Sequence, residues 1–202
     1  MSHGWPARLR EGRIELRPLR LRDATAWREV RTRNARWLRP WEATLPLAEH
    51  DAPTTYGAMV RRLRAEAREG RSLPFALTVD GAFAGPVTIG GIARGSLLSA
   101  YIGYWIDQNR AGHGYVAEAV AVLIKFAFDE LHLHRLEVCI IPRNSNSLRV
   151  VEKLGLRNEG LAERFLEING VWEDHYRFAV TVEEWLSRRS ELTAAWLAAG
   201  KA

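Results

Sequence analysis

The segment DQNRAGHGYVAEAV, residues 107–120, places Gly112 and Gly114 between an apolar run and a helical pattern. Glycine at such a junction lets an anion approach the backbone, because no Cβ atom stands in the way. The first amides of the following helix lack partners within the helix, and the helix dipole makes them attractive to negative charge. The segment therefore predicts an anion-binding loop, with an ordinary strand-to-helix turn as the alternative.

Three anionic ligands suit such a loop, and the flanking residues discriminate between them. A nucleoside triphosphate loop ends in Gly-Lys-Ser/Thr, whereas this one ends in Gly114-Tyr115-Val116 and lacks the lysine. The string GHGYVA fits the dinucleotide fingerprint, with Glu137 about 20 residues further on. Against a dinucleotide, the polar stretch DQNRA separates the strand from the first glycine, and antiparallel strands are predicted ahead of it. The third ligand, coenzyme A, needs support from a second motif.

That second motif is RNSNSLRVVEKLGL, residues 143–156, which follows the next predicted strand and places Asn144, Ser147 and Arg149 around a helix start. Together with NRAGHG after the preceding strand, it resembles the two motifs of the GNAT family of acyl-CoA N-acyltransferases. Asn109 departs mildly from the Gln or Arg commonest at its position. The stretches WLRPWE, ARGSLLSAYIGYWID and NGVWEDHYRF are similar to the RimJ-like ribosomal-protein-alanine N-acetyltransferases.

Hydrophobic periodicity and turn residues predict an α+β (mixed α/β) domain. The resemblance implies the GNAT fold, with a central, mostly antiparallel sheet whose fourth and fifth predicted strands splay apart. Residues 1–180 are expected to form this domain and 181–202 a C-terminal helical tail. The predicted strands are 13–19, 74–79, 83–93, 97–106, 134–141, 157–170 and 171–180, and the predicted helices are 24–38 (capped by Asp23), 55–70, 112–131 and 148–155. A hairpin turn is predicted at Asp80-Gly81, and the proline-rich stretch 39–53 is predicted to be a loop that forms the acceptor groove.

The resemblance implies that acetyl-CoA lies between the splayed strands. Backbone groups of one strand would pair with the pantetheine arm, backbone amides of the glycine loop would hold the pyrophosphate, and Ser147 would lie near the sulfur. Ser147 also suits an N-cap, Asn144 a plain turn and His113 a solvated loop position. The cofactor-binding set is Tyr104, Trp105, Ile106, Asn109, Arg110, Ala111, Gly112, His113, Gly114, Tyr115, Asn144, Ser147 and Arg149.

An amine must lose its proton before it attacks a thioester. An α-amine has a pKa of about 8 and a lysine one of about 10.4, which favours a protein N-terminus as the acceptor. Ser147 and Glu42 are the candidate catalytic residues, with Glu42 as general base and a water chain without a dedicated base as the alternative. The acceptor site is predicted to comprise Trp41, Glu42, Asp174, His175 and Tyr176.

The composition and charge of the chain indicate which kinds of partner it could bind. The chain has 202 residues and a net charge of +5, and residues 1–40 carry eleven arginines against four acidic residues. This basic N-terminal segment allows proximity to a ribosome or RNA, or is a solvated surface. Small-amine acetylation and a non-catalytic RNA- or ribosome-binding module remain alternatives to acetylation of a protein N-terminus, such as that of a small-subunit ribosomal protein.

The single cysteine and the lack of long apolar stretches or metal-ligand spacing lead to further predictions. The lone Cys139 lies in an apolar run, which predicts a buried thiol in a cytoplasmic protein. No apolar stretch is long enough to predict a membrane span, and no spacing predicts a metal site. A monomer and a homodimer both remain open, with Trp185 and Trp196 of the tail as a possible dimer contact.

Overall fold

The structure, a computed structural model, describes residues 5–44 and 55–197. Its strands are β1 (Leu9–Glu11), β2 (Ile14–Pro18), β3 (Leu73–Val79), β4 (Ala82–Ala93), β5 (Ser99–Tyr104), β6 (Arg135–Ile140), β7 (Arg157–Ile168) and β8 (Val171–Thr181). They form one sheet in the order β1-β2-β3-β4-β5-β6-β8-β7. Neighbours are antiparallel except β5 and β6, which are parallel. The predicted mostly antiparallel sheet is confirmed.

Helices cover both faces of this sheet. They are α1 (Ala24–Arg33), α2 (Ala35–Leu38), α3 (Tyr56–Arg68), α4 (Tyr115–Asp129), α5 (Ser145–Lys153) and α6 (Val182–Leu192). The larger core packs the apolar α4 against the sheet, and a smaller core around Val30 and Val60 lies under α1 and α3. Because both faces are covered, every residue of β3 is buried. The covered sheet gives the strand ends beside α4 a rigid support.

The first predicted strand is half of a hairpin. β1 pairs antiparallel with β2, and periodicity missed β1 because it has only three residues. The turn predicted at Asp80-Gly81 is confirmed, with φ of 51° and 80°. The strand predicted at 97–106 is shorter, since only β5 keeps sheet geometry. Cys139 is half-buried rather than buried, because alternate residues of β6 point to opposite faces of the sheet and only one of the two sets is fully buried.

The helix predicted at 24–38 is broken. Asn34, with φ −100° and ψ 5°, separates α1 from α2. Asp23 does not cap α1 through its side chain. Its carboxylate instead accepts hydrogen bonds from Arg17 at 2.7 and 2.8 Å and from the amide of Arg20 at 2.8 Å. The prediction was wrong because a buried arginine from β2 competes for the same carboxylate.

The tail packs on the domain. Trp185 is 1% exposed and donates through Nε1 to Asp129 at 3.2 Å. After α6 the chain continues as a π-helix over Thr193–Leu197, and Trp196 lies beside the glycine loop at Gly114. The tail therefore forms a helix that packs on the domain, and the burial of Trp185 leaves that side chain no surface for a contact between subunits. In the described part of the chain, no helix combines the length and apolar character that crossing a membrane requires.

Candidate active site

The candidate site lies where β5 and β6 diverge. Their parallel pairing runs only from Ser99–Arg135 to Tyr101–Glu137, and beyond it the two strands separate. A cavity of about 500 Å³ lies at this gap. It joins the end of β5, the glycine loop, α5 and the segment after α2. Its lining is Trp37, Leu38, Trp41, Glu42, Ala43, Tyr104, Trp105, Ile106, Arg110, Ala111, Gly112, Gly114, Tyr115, Val116, Ala117, Asn144, Asn146, Ser147, Arg149, Val150 and Lys153.

The glycine loop forms the polar end of the cavity. Gly112 and Gly114 have φ of +83° and +86°, a left-handed conformation that only glycine adopts without strain. The first hydrogen bond of α4 runs from the amide of Glu118 to the carbonyl of Gly114 at 3.0 Å. The amides that precede Glu118 at the start of the helix therefore remain free to bind an anion.

The cavity fits an elongated anionic thiol ester. A Cβ atom built on Gly112 meets no atom within 4 Å, so no neighbouring group crowds the loop at this position. Arg110, Arg149 and Lys153 add positive charge along the lining. The backbone of Trp105 is held from behind, because Gly85 of β4 approaches its carbonyl so closely that a Cβ there would lie 2.2 Å away. The backbone at the end of β5 is thus kept in place beside the cavity.

A buried carboxylate, Asp107, ties the glycine loop to the helix break. It is 2% exposed and forms an ion pair with Arg33. Asn34 Nδ2 donates to Asp107 Oδ1 at 2.8 Å, and the Gln108 amide donates to Asn34 Oδ1 at 2.9 Å. Burial by itself raises the pKa of Asp107, but the hydrogen bonds from Arg33, Asn34 and the amide of Asn109 outweigh it and hold that pKa below its ordinary value.

Replacing Asp107 with asparagine is expected to lower the free energy of unfolding by about 2 kcal/mol, since a charged hydrogen-bonded group is lost. Because the pKa of Asp107 is lower in the folded state than in the unfolded state, its ionised carboxylate stabilises the fold above about pH 4, the pKa of the unfolded state. This stabilisation is lost as the pH falls through the pKa of the folded state. Urea unfolding should therefore show a smaller gap between Asp107→Asn and wild type at pH 3 than at pH 7. The exposed pair of Asp80 with Arg13 gives a control, and Asp80→Asn should barely change stability.

The second motif begins α5 earlier than predicted. Asn144 is the N-cap, and its Oδ1 accepts from the Ser147 amide at 3.2 Å. Ser147 as an N-cap is therefore wrong, because the helix starts at Ser145 and Ser147 is its third residue. Its hydroxyl is left to face the cavity, which it lines together with Asn144.

Tyr104 contributes the other hydroxyl in the gap. Its Oη is buried and makes no hydrogen bond to any described residue. Burial raises the pKa of Tyr104 to about 12, and the neighbouring Ser147 hydroxyl offsets part of that rise. The phenol therefore stays protonated throughout the ordinary pH range.

The other side of the cavity carries Trp41 and Glu42. Glu42 forms an ion pair with Arg31, whose guanidinium lies 5.9 Å from the centre of the Trp105 ring. Arg143 lies over the Trp41 ring at 5.4 Å. The segment is fixed to the far edge of the sheet, since Ala43 bridges Ile168 of β7. Residues 45–53 of the predicted acceptor loop lie outside the described residues.

The remaining predicted site residues lie elsewhere. Asn109 and His113 are exposed on the glycine loop and do not line the cavity; the His113 ring bonds the Ala111 carbonyl and stacks on Tyr115. Asp174 accepts from the Arg164 amide at 2.8 Å and lines a separate cavity of about 350 Å³. His175 is 3% exposed, and its Nδ1 lies 3.0 Å from the carbonyl of Glu173.

Tyr176 pairs with Ile140 of β6 and meets Phe178 edge-on, so the structure puts neither it nor His175 in the lining of the large cavity. The sequence reasoning missed Trp37, which lies four residues before Trp41, a helical spacing that was available as a signal. It also missed Arg31, and it assigned Tyr104 to cofactor binding without predicting its buried hydroxyl; no local pattern indicates either feature. No group of three or more His, Cys, Asp or Glu side chains within 5–44 and 55–197 is arranged to hold a metal ion.

Known proteins share this arrangement. The family model of the acetyltransferase (GNAT) domain matches residues 13–157. The solved structure of Mycobacterium smegmatis RimJ in complex with CoA-disulfide superposes with a TM-score of 0.86 at 40% identity, covering 96% of this chain and 97% of that one. The Escherichia coli (strain K12) ribosomal protein uS5-alanine N-acetyltransferase is 29% identical over 184 residues, 90% of this chain and 94% of that protein.

A third relative matches over a shorter stretch. The Bacillus subtilis (strain 168) protein named "Probable N-acetyltransferase YjcK" is 46% identical over 101 residues, so the match spans 50% of this chain and 56% of that protein. The fold and the cleft define an acyltransferase architecture, and the family model covers well over half of the chain. The chain belongs to the GNAT family of acetyltransferases.

Proposed function

We propose that this protein transfers the acetyl group of acetyl-CoA to the N-terminal amine of a protein. One observation carries the proposal: a single cavity of about 500 Å³ brings together the glycine loop, the Asn144–Ser147 start of α5 and the Trp41–Glu42 segment. These are the anion cradle, the hydroxyl and the carboxylate that such a transfer needs. The solved relative from Mycobacterium smegmatis is in complex with CoA-disulfide, which supports the choice of cofactor.

The chain's own residues would divide the work along the cavity. The amides at the start of α4 and the Arg110 guanidinium hold the pyrophosphate. The backbone of 104–106 is paired with β4 on one side, and on its other side, where β5 and β6 diverge, it pairs with the pantetheine amides. Asn144 bonds the same arm. When bound, acetyl-CoA supplies a thioester carbonyl that accepts the amine nitrogen.

On the acceptor side, Glu42 binds the ammonium group and accepts its proton, directly or through water. Its ion pair with Arg31 fixes the carboxylate beside Trp105. An α-amine with a pKa of about 8 is already partly neutral near neutral pH, so a weak base suffices. Ser147 donates a hydrogen bond to the sulfur as it becomes negative. The same reasoning disfavours lysine, with its pKa of about 10.4, as the acceptor.

The proposed acceptor is a ribosomal protein with a free N-terminal alanine or serine. Two of the relatives support this choice by name: the Escherichia coli protein is a ribosomal protein uS5-alanine N-acetyltransferase, and the solved Mycobacterium smegmatis relative is RimJ. The arginine-rich segment 1–40 suits approach to an assembling ribosome or its RNA.

A thiol-release assay tests the proposal. Peptides beginning with Ala, Ser, Thr and Met are compared with an N-terminally blocked peptide that contains an internal lysine. We expect turnover on the free Ala and Ser peptides and none on the blocked one. Equal turnover on the blocked peptide, or turnover on a polyamine alone, would exclude an N-terminal acceptor. A parallel acetyl-CoA titration separates failure to bind the cofactor from failure to accept the peptide.

A further inference from the structure

The proposed function leaves one buried polar group unexplained. Tyr104 Oη is enclosed by protein, lies in the lining of the large cavity and has no hydrogen-bond partner among the residues described. A buried hydroxyl without a partner costs roughly 1–3 kcal/mol, so a fold keeps one where a bound molecule or a moving side chain completes it. Tyr104 therefore needs a partner that is supplied when the site is at work.

The position of Tyr104 on β5 identifies that partner. Sheet pairing between β5 and β6 stops at Tyr101, so Tyr104 stands beyond the last paired residue, inside the gap. Ser147 of α5 lines the same cavity as Tyr104, and its hydroxyl lies near enough to the phenol to offset part of the rise in the Tyr104 pKa. The Ser147 amide is already held by the Asn144 cap, which fixes the backbone but leaves the hydroxyl free to rotate. Hydrogen bonds between active-site side chains are often long in the free enzyme and shorten when the substrate is bound.

We propose that Tyr104 is a positioning residue: its hydroxyl donates a hydrogen bond to Ser147 Oγ and thereby directs the Ser147 hydrogen at the departing sulfur. This inference rests on the proposed acetyl transfer. In that reaction a C–N bond forms, the C–S bond breaks, the bonding electron pair goes to sulfur and the amine proton goes to Glu42 or water. The two hydroxyls share hydrogen bonds with the anion and transfer no proton, so the balance needs no further reactant.

A donor role, as opposed to an acid role, follows from the surroundings of the phenol. Burial raises the pKa of Tyr104 to about 12, far above that of a thiol at about 8.5. A proton would not move from the phenol to the thiolate at equilibrium. Hydrogen bonds in a chain polarise one another, so a neutral phenol strengthens the bond that Ser147 gives to the sulfur.

The first test is a double-mutant cycle on turnover. Tyr104→Phe removes one oxygen atom and should lower kcat about 10-fold, with the KM for acetyl-CoA changed by less than about 2-fold. In a Ser147→Ala background the same change should have almost no effect, because there is no serine left to orient. Tyr101→Phe, three residues earlier on the same strand and 52% exposed, is the matched control and should retain wild-type turnover.

The second test measures binding without turnover. CoA and desulfo-CoA, which lacks the thiol, are titrated between pH 6.5 and 9. If the hydroxyl pair stabilises the sulfur anion, the affinity for CoA should rise with pH relative to that for desulfo-CoA. The cavity's charged groups, Glu42, Arg110, Arg149 and Lys153, affect both ligands alike and cancel. Tyr104→Phe and Ser147→Ala should each abolish the difference, and Tyr101→Phe should keep it.

The outcomes separate this inference from the proposed function. Tyr104→Phe could lower kcat equally in the wild-type and Ser147→Ala backgrounds, or the single variant could keep the wild-type kcat. Either result overturns the pairing with Ser147. A CoA preference that persists in Tyr104→Phe overturns it as well. If the wild-type enzyme acetylates no peptide, the proposed acceptor fails, yet the titration still decides whether Tyr104 acts on the sulfur.

Discussion

Gly112→Asp is expected to abolish acetyl-CoA binding. The residue has φ of +83°, a conformation that strains any side chain, and it lines the cavity at the start of α4. Aspartate would also place a carboxylate where the helix amides are proposed to hold the pyrophosphate, so charge repulsion adds to the strain. A calorimetric titration should show a dissociation constant for acetyl-CoA that is at least about 100-fold higher, which corresponds to a loss of about 2.7 kcal/mol of binding free energy.

Backbone strain by itself must be separated from loss of the anion site. Gly95, in the turn between β4 and β5, has φ of +74°, and a Cβ atom added there, as at Gly112, would meet no atom within 4 Å. Gly95→Asp therefore imposes comparable strain at a site distant from the cavity, and it should bind acetyl-CoA like wild type. Wild-type affinity in Gly112→Asp would show that the loop does not hold the cofactor.

Ser147→Ala is expected to lower kcat by about 100-fold, the loss typical when one donor to a developing anion is removed. The Asn144 cap bonds the backbone amide of Ser147, so α5 should keep its start and the KM for acetyl-CoA should stay within about 3-fold. Steady-state kinetics with a free-Ala peptide measures both constants.

Ser145 is the matched control for this substitution. It begins the same helix, is exposed and does not line the cavity. Ser145→Ala should therefore leave both constants unchanged. Equal losses in the two variants would mean that serine at this helix start matters for folding, and Ser147 would lose its proposed role at the sulfur.

Local patterns predicted the parts of the site that are local in the chain. The glycines and the apolar periodicity of 115–129 fix the loop and α4, because φ preferences and helical spacing act over a few residues. The same holds for the hairpin turn at Asp80-Gly81. The start of α5 was misplaced by three residues, since Asn144 and Ser147 are both good caps and only the folded context chooses between them.

Long-range contacts account for the features that the sequence did not reveal. Asn34 breaks a helix because its side chain bonds Asp107, a residue 73 positions away. Whether His175 faces the cleft depends on the register between β7 and β8. That register places the His175 ring against Phe165 of β7 instead. That Tyr104 and Ser147 line one cavity depends on where β5 and β6 separate. None of these pairings leaves a signal in a single sequence.

The short pairing between β5 and β6 affects the stability of the folded protein as well as its chemistry. Beyond Tyr101 the sheet contains an open seam in its middle, where a bound pantetheine arm would serve as the missing strand. A ligand at 100 times its dissociation constant adds about 2.7 kcal/mol to the stability of the folded state. Resistance to proteolysis should therefore follow the combined concentration of CoA and acetyl-CoA, so that depletion of the cofactor would shorten the lifetime of the enzyme that uses it.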